Sequence, residues 1–297
     1  MTMRPVKIVT DSCSDLPKEL REKYGIDYMM MNTVKDGKET PASLDWEFYS
    51  PKELYDTIRN GERVTTTMVP PSEFQRYFRA ELEKGNDIVY IACSSKLSGS
   101  VNVGKVEAEA ILKDFPGAVI CCVDSINACL GEGIVAIKAA SLRDDGKSAK
   151  EIEAALLPIR NNVNQFVTVH NLNALKAAGR VTGSSAFFGN LLGVKPIIIS
   201  DKVGNNTPIK KAKGRLNSLK ELVALTAEGV EGIDNPTIYI AHADCEEEAK
   251  DVAEMIKESI PGARTYITYI GPIIGASIGA DAIGLFSYGK SIERFAV

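Results

Sequence analysis

The chain has 297 residues, of which 44% are hydrophobic and 25% charged, a composition typical of one large or two ordinary globular domains. Its formal net charge of -4 gives no general attraction to nucleic acid, and the basic run at residues 210–215 is short, so no nucleic-acid partner is expected. No apolar stretch reaches transmembrane length and the chain starts without a signal-peptide pattern. We therefore expect a cytoplasmic protein without stable membrane insertion.

Strands and helices alternate through the first half of the chain. Strands are predicted at 6–10, 26–34, 87–92 and 118–123, and helices at 17–24, 45–49, 51–60, 71–84, 101–115, 128–140 and 149–159. Alternation of this kind indicates an N-terminal Rossmann-like parallel sheet with helices on both faces.

The pattern changes after a polar, aperiodic stretch at residues 161–165. Beyond it we expect strands at 166–170, 194–200, 207–213, 237–241, 264–269 and 282–288, helices at 172–176, 216–223 and 249–260, and a loop at 179–185. The strands at 194–200 and 207–213 form a predicted hairpin. The chain is thus predicted to be an α/β protein of two domains, 1–162 with the parallel sheet and 163–297 with a mixed sheet.

Short polar side chains follow three of the predicted parallel strands. They are Asp11-Ser12, Ser94-Ser95 and Asp124-Ser125. Ligands collect at the carboxyl ends of parallel strands, and hydroxyls together with helix N-terminal amides favour a carboxylate or a phosphate. The segment 93–100 (CSSKLSGS), between a strand and a helix, is therefore the first candidate for an anion site.

Six cysteines occur without a Cys-x-x-Cys motif, and His170 and His242 are the two histidines. A zinc cluster would need unrelated positions to converge, so buried free thiols and no metal site are expected. Gly131 and Gly133 lie too far from the preceding strand for a dinucleotide fingerprint, and residues 146–148 lack the first glycine of a phosphate loop. No cofactor is predicted.

Three further residues could take part in chemistry or binding. Ser277 lies in the sequence GASIG, which matches the nucleophile elbow of hydrolases, but no histidine follows it as that fold requires. Arg180 and Arg215 each follow a glycine in a predicted loop, where a guanidinium can hold an anion or a partner protein.

Several ordered motifs resemble those of the DegV family of bacterial fatty-acid-binding proteins over essentially the whole chain. They are residues 10–16 (TDSCSDL), 66–71 (TTMVPP), 94–100 (SSKLSGS), 175–181 (LKAAGRV), 195–197 (KPI) and 270–275 (IGPIIG). The resemblance implies a two-domain α/β fold that holds one long-chain fatty acid with its tail buried. Some members present the acid's carboxylate to an ATP-dependent fatty-acid kinase subunit, and the DegV-like protein itself is not an enzyme.

Carried over by position, the resemblance implies that Thr66 and Ser95 hydrogen-bond the carboxylate, with Ser94 as their neighbour and Arg180 on the phosphate or partner side. Two departures stand out. The family segment Gly-x-His-Thr-Gly-Pro-Gly is here 275–281 (GASIGAD), which puts Ser277 in place of a head-group histidine, and Val69-Pro70 stand where the family has proline and then serine.

The resulting hypothesis is a fatty-acid or related amphiphile binder whose head-group contacts differ from the family majority. A serine-dependent acyl hydrolase using Ser95 or Ser277, and a paralogue with a different amphiphilic ligand, are the alternatives.

Overall fold

The computed structural model describes residues 4–170, 172–182 and 193–292. Its helices are α1 Lys18–Tyr24, α2 Pro51–Arg59, α3 Pro71–Glu83, α4 Ser100–Ile111, α5 Leu130–Asp144, α6 Ala149–Ile159, α7 Leu172–Ala178, α8 Arg215–Gly229, α9 Glu246–Ser259 and α10 Pro272–Ile278. Its strands are β1 Val6–Asp11, β2 Ile26–Met29, β3 Asn32–Lys35, β4 Lys38–Pro41, β5 Thr65–Thr67, β6 Asp87–Ala92, β7 Ile120–Asp124, β8 Val163–Thr168, β9 Val194–Ser200, β10 Asn206–Lys213, β11 Thr237–His242, β12 Arg264–Tyr269 and β13 Ile283–Tyr288.

The first sheet is parallel and has the strand order β2-β1-β6-β7. Successive residues of its strands point to opposite faces. Ile8 and Val89 pack in a core that includes residues of α5 and α6, whereas Val9 and Tyr90 pack in a second core that includes residues of α3 and α4. The prediction of a parallel sheet covered by helices on both faces is confirmed.

The predicted strand at 26–34 is in fact two strands that belong to different sheets. β2 pairs with β1, but β3 pairs antiparallel with β4, across the turn at Asp36-Gly37, and with β5. Met29 ends β2, Met31 lies between β2 and β3, and both side chains are buried. The apolar sequence therefore continues across the point where the chain passes from one sheet to the other. Periodicity therefore did not reveal the break, nor the short strands β4 and β5.

The helix predicted at 45–49 does not form. Trp46 adopts a left-handed backbone conformation with φ of 57°, which an α-helix does not accommodate. The Ser43 side chain accepts a hydrogen bond from the amide of Asp45 and donates one to the carboxylate of Glu47, a local pattern that competes with helix formation. The Trp46 ring instead contacts Tyr55 and Tyr269.

The remaining sheet is mixed and has the order β10-β9-β8-β13-β11-β12. Its pairings are antiparallel except for the parallel pair β11 and β12, and β9 and β10 form the predicted hairpin. All of its strands come from residues after 162 and all strands of the other two sheets from residues before it. The expected α/β architecture, with a parallel sheet followed by a mixed sheet, is confirmed.

No helix among the described ranges is long and apolar enough to cross a bilayer. The predicted loop at 179–185 lies outside the described residues from position 183 onward.

Candidate functional site

A cavity of about 400 Å³ lies at the carboxyl edge of the parallel sheet. Residues that follow β1, β6 and β7 form one wall, and residues of β8, β9, β13 and α10 face them from the other side. Its volume falls within the range of about 300 to 1,000 Å³ that is typical of sites for small organic ligands. The loops that the sequence nominated thus meet around a single space.

The walls of this inner cavity are mainly apolar. The apolar lining residues are Cys13, Met31, Met68, Cys93, Leu97, Ala128, Cys129, Val167, Leu175, Ile198, Ile270, Ile273, Ile274, Ile278 and Phe286. Methionine and leucine side chains adapt to irregular shapes, and each buried methylene of a ligand would contribute about 0.8 kcal/mol. The cavity therefore suits a long hydrocarbon chain.

Polar side chains line a smaller part of the inner cavity. They are Thr66, Thr67, Ser98, Gln165, Arg180, Asn206 and Ser277. Gln165 Nε2 donates to Asn206 Oδ1 at 3.3 Å, so these two amides support each other. Thr67 differs, because its buried Oγ1 has no hydrogen-bond partner among the described residues. A buried hydroxyl without a partner is costly, and a ligand acceptor would satisfy it.

A second cavity of about 350 Å³ adjoins the first. Its walls include the exposed residues Glu62 and Arg63, and it shares Thr66, Arg180 and Ser277 with the inner cavity. We call it the outer cavity. The shared residues mark a polar boundary between an apolar interior and a surface-facing space.

The pairing of β5 with β3 positions the threonines at this boundary. Thr66 lies opposite Thr33 and Thr67 opposite Asn32. Ser277 lies on α10, where its Oγ donates to the carbonyl of Ile273 at 3.2 Å, four residues back in the helix. A serine hydroxyl has one proton to donate, so Ser277 would have to rotate to bind an anion.

Three buried acids that line neither cavity lie beside the cysteines of the apolar wall. Burial raises the pKa of Glu132 well above its usual range and raises the pKa of Asp15 to about 8. Burial also raises the pKa of Asp11, although hydrogen bonds from Tyr90 and the amide of Cys13 oppose the change. These groups favour their neutral forms, and the same loss of hydration would disfavour a charged ligand carboxylate beside them. The electrostatics thus disfavour an anion at the wall that contains Cys13 and Cys93.

Comparison with known proteins identifies the family. The sequence model described as "uncharacterised protein, DegV family" matches residues 5–290. A DegV domain-containing protein of Clostridium perfringens is 35% identical over 291 residues, which are 98% of this chain and 100% of that protein. The chain belongs to the DegV family.

Two solved DegV structures are similar over nearly the whole chain. A DegV family protein from Thermus thermophilus, described by its fatty-acid binding, is 28% identical and superposes with a TM-score of 0.86. DegV of Bacillus subtilis, described as a fatty acid binding protein, is also 28% identical and superposes with a TM-score of 0.84. Each comparison covers 97% of this chain and 100% of the relative.

The serines of the loop at residues 93–100 lie in different environments. Ser94 is fully buried, where its Oγ donates to the carbonyl of Gly204 at 2.7 Å, and Ser95 is exposed with its amide bonded to Asp124. Neither lines the inner or the outer cavity, whereas Ser98 lines the inner one. The structure thus places Ser98, and not Ser94 or Ser95, on a cavity wall, and the expectation that Ser94 and Ser95 bind the carboxylate stays a prediction.

The two arginines occupy different environments. Arg180 is exposed, donates to the carbonyl of Ala178 at 2.6 Å and lines both cavities, so it remains available to an anion at the boundary. Arg215 lines neither cavity, and it pairs with Glu248 at 2.8 Å and donates to the carbonyl of Asp281. These contacts connect α8 with α9, and the assignment of Arg215 to a phosphate or partner contact stays a prediction.

The histidines do not complete a hydrolase site within the described part of the chain. His170 and His242 line neither cavity. His242 is buried, its Nδ1 accepts a hydrogen bond from the amide of Cys245, and burial lowers its pKa. Among the residues that the structure describes, Ser277 has no basic partner comparable to that of a catalytic triad.

Several lining residues were missed at the sequence level. Thr67 follows the nominated residue Thr66 directly, and Ser98 belongs to the nominated segment 93–100. The motifs that nominated these neighbours could therefore have pointed to both residues. Gln165 and Asn206 lay in stretches interpreted as a boundary and a hairpin turn. No sequence pattern distinguishes these amides from ordinary loop residues.

Proposed function

We propose that this DegV family member binds a long-chain fatty acid and has no chemistry of its own. The hydrocarbon tail occupies the inner cavity, and the carboxylate lies at the boundary with the outer cavity. One observation carries the proposal: a mainly apolar cavity of about 400 Å³ shares its polar residues Thr66, Arg180 and Ser277 with a surface-facing space. The description of the Thermus thermophilus and Bacillus subtilis relatives as fatty-acid binding supports it.

The energetics favour a tail-driven complex. A long acyl chain supplies on the order of 10 kcal/mol by burial, before the costs of association and ordering. The carboxylate needs hydrogen bonds when it leaves water. Thr66, the unpartnered Oγ1 of Thr67 and the Arg180 guanidinium supply donors where the family commonly has a histidine, with Ser277 contributing if its hydroxyl rotates.

The outer cavity also bears on the partner that the family resemblance implies. A carboxylate at the boundary would lie next to the outer cavity, where Arg63 and Arg180 contribute positive charge. We propose that a separate ATP-dependent kinase subunit reaches the carboxylate from this side. Incubation with ATP and such a subunit should convert the bound acid to an acyl phosphate, detected by trapping with hydroxylamine.

Denaturing extraction of the purified protein followed by mass spectrometry tests the binding itself. We expect about one long-chain fatty acid per chain after expression in lipid-replete medium. A protein that yields no fatty acid and takes none up from added vesicles would refute the proposal. Turnover of a chromogenic acyl ester that Ser277→Ala abolishes would support a hydrolase instead.

Thr66→Ala and Thr67→Ala should each weaken fatty-acid retention by roughly 1.5 to 3 kcal/mol, the cost of one hydrogen bond to a charged group. Competition with a fluorescent fatty acid measures this change. Thr66→Ser should retain most of the affinity because it keeps the hydroxyl, and Ser95→Ala should leave affinity unchanged because Ser95 is exposed outside both cavities. Equal losses in Ser95→Ala and Thr66→Ala would contradict this head-group assignment.

A further inference from the structure

Cys13, Cys93 and Glu132 converge on one buried point behind the inner cavity. Each residue has one atom that could ligate a metal ion, and each of these three atoms lies within 4.8 Å of the other two. All three residues are buried. Cys13 follows β1 and Cys93 follows β6, which are neighbours in the parallel sheet, while Glu132 lies in the first turn of α5. Cys13 and Cys93 are buried free thiols, as expected, but positions far apart in the sequence converge here, which is what a metal cluster would require.

Hydrogen bonds hold this cluster in place. The Asp11 carboxylate accepts from the amide of Cys13 at 2.9 Å, from the amide of Cys93 at 3.4 Å and from the hydroxyl of Tyr90 at 2.7 Å. One carboxylate thus connects the backbones of both cysteines. Fixing the backbones of two ligand residues limits how far their side chains can move, and outer partners of this general kind orient ligands in known metal sites.

Glu132 has one oxygen that is free to ligate a metal ion. Its Oε1 accepts a hydrogen bond from Thr10 Oγ1 at 2.5 Å, but its Oε2 has no partner among the described residues, although the side chain is fully buried. The Cys13 thiol contacts Met31 Sδ at 3.6 Å and lies beside Cys93, and this neighbour together with burial raises the pKa of Cys13. A buried carboxyl oxygen without a partner, next to two thiols, offers three ligating atoms that a cation can bind together once their protons have left.

We propose that Cys13, Cys93 and Glu132 form a site for a soft divalent cation, with Zn²⁺ as the representative ion. Two thiolates and one carboxylate suit zinc or cadmium rather than magnesium or calcium, which prefer oxygen ligands. Zinc–sulfur bonds of about 2.3 Å place two sulfurs of one tetrahedral ion about 3.8 Å apart, so small side-chain movements suffice.

The inner cavity supplies the entry path and the fourth coordination position. Cys13 and Cys93 line it, whereas Glu132 does not, so the open side of the site faces the cavity, where a water molecule can complete the coordination. Binding replaces the protons of the two thiols and of Glu132, which pass to the buffer. Affinity should therefore rise with pH.

Equilibrium dialysis of the full-length, phosphine-reduced protein against Zn²⁺, with metal analysis, tests the site. We expect about one zinc per chain in the parent protein and at least tenfold weaker binding in Cys13→Ala, Cys93→Ala and Glu132→Gln. Cys121→Ala is the matched control, because Cys121 is a buried thiol that lines neither cavity, and it should bind zinc like the parent.

Cadmium provides a measurement that needs no folded variant. Cd²⁺ bound by Cys13 and Cys93 should give the ultraviolet sulfur-to-metal absorption band with the unmodified protein, saturating at one equivalent. Absence of this band and of stoichiometric zinc overturns the proposal. Zinc binding that persists undiminished in folded Cys13→Ala and Cys93→Ala also overturns it, since the ion would then lie elsewhere.

Discussion

Asp15 is a buried carboxyl group in the loop between β1 and α1, and its backbone has a left-handed conformation with φ of 50°. Burial raises its pKa to about 8, well above the ordinary value of about 4. Between these two pH values the folded protein holds a proton that the unfolded chain has released. This part of the stability is therefore complete below about pH 4 and is lost as the pH rises toward 8.

Asp15→Asn should remove that pH dependence, since asparagine stays neutral and tolerates the left-handed conformation. Urea unfolding should be measured between about pH 5 and 8. Over this range the free energy of unfolding of the variant should rise relative to that of the parent by up to about 1.4 kcal/mol per pH unit. Asp145→Asn, which changes an exposed carboxylate, is the control and should follow the parent. A constant difference between Asp15→Asn and the parent across this range would show that Asp15 does not titrate there.

The serines show how far single residues could be assigned from a motif. The motif located a loop that reaches the cavity, since Ser98 of that loop lines it. The direction in which a serine side chain points depends on its hydrogen-bond partner. For Ser94 that partner is the carbonyl of Gly204, 110 positions away in the sequence. Local sequence carries no information about such a partner, so the choice among Ser94, Ser95 and Ser98 could not be made from it.

At the scale of elements, α2 positions the segment that begins α10. The buried Tyr55 hydroxyl on α2 donates to the carbonyl of Ile270 at 2.6 Å. Gly275 on α10 lies so close that a Cβ there would come within 2.6 Å of the same hydroxyl. Ile270 and its neighbours line the inner cavity, so this contact between helices shapes the proposed tail site.

Tyr55→Phe should lower the free energy of unfolding by about 1 to 3 kcal/mol, because the buried carbonyl of Ile270 loses this donor. Denaturant titration should show a lower midpoint with an unchanged slope. Tyr24→Phe, at the less buried end of α1, is the comparison and should cost less. Equal stability of Tyr55→Phe and the parent would mean that the hydrogen bond makes no net contribution.

Most elements could be predicted, and the errors have identifiable causes. Capped helices such as α2, where Ser50 and Glu53 form a capping box, are specified locally. β4 and β5 were missed because each is short and gains its partners only through β3. The helix expected at 45–49 failed because aromatic contacts of Trp46 outweigh a weak local preference.

At the scale of the whole molecule, Arg59 joins the two halves of the chain. From α2 its guanidinium reaches Asp244, after β11, at 2.6 Å and Asp281, before β13, at 2.6 Å. In each ion pair, Arg59 comes from the part of the chain before position 162 and the aspartate from the part after it. The proposed ligand cavity lies between the same two parts, so its shape depends on how they are held together.

Arg59→Gln should destabilise the protein by about 1 kcal/mol, a modest loss because the side chain is 32% exposed and water screens the pairs. Unfolding measured at low and high salt should show the larger difference at low salt. Arg59→Lys should recover part of the loss through its charge. A penalty independent of salt for Arg59→Gln would indicate that packing rather than charge is responsible.

Local patterns in the sequence specify strands, helices, their alternation and the polar loops at the carboxyl ends of strands, because these depend on near neighbours in the chain. The family resemblance was likewise visible in short ordered motifs. Long-range packing selects which side chains face the cavity, leaves Thr67 Oγ1 buried without a partner in the described part of the chain, and brings Cys13, Cys93 and Glu132 together. These features arise only when distant strand ends meet at one edge of a sheet, so no local pattern encodes them.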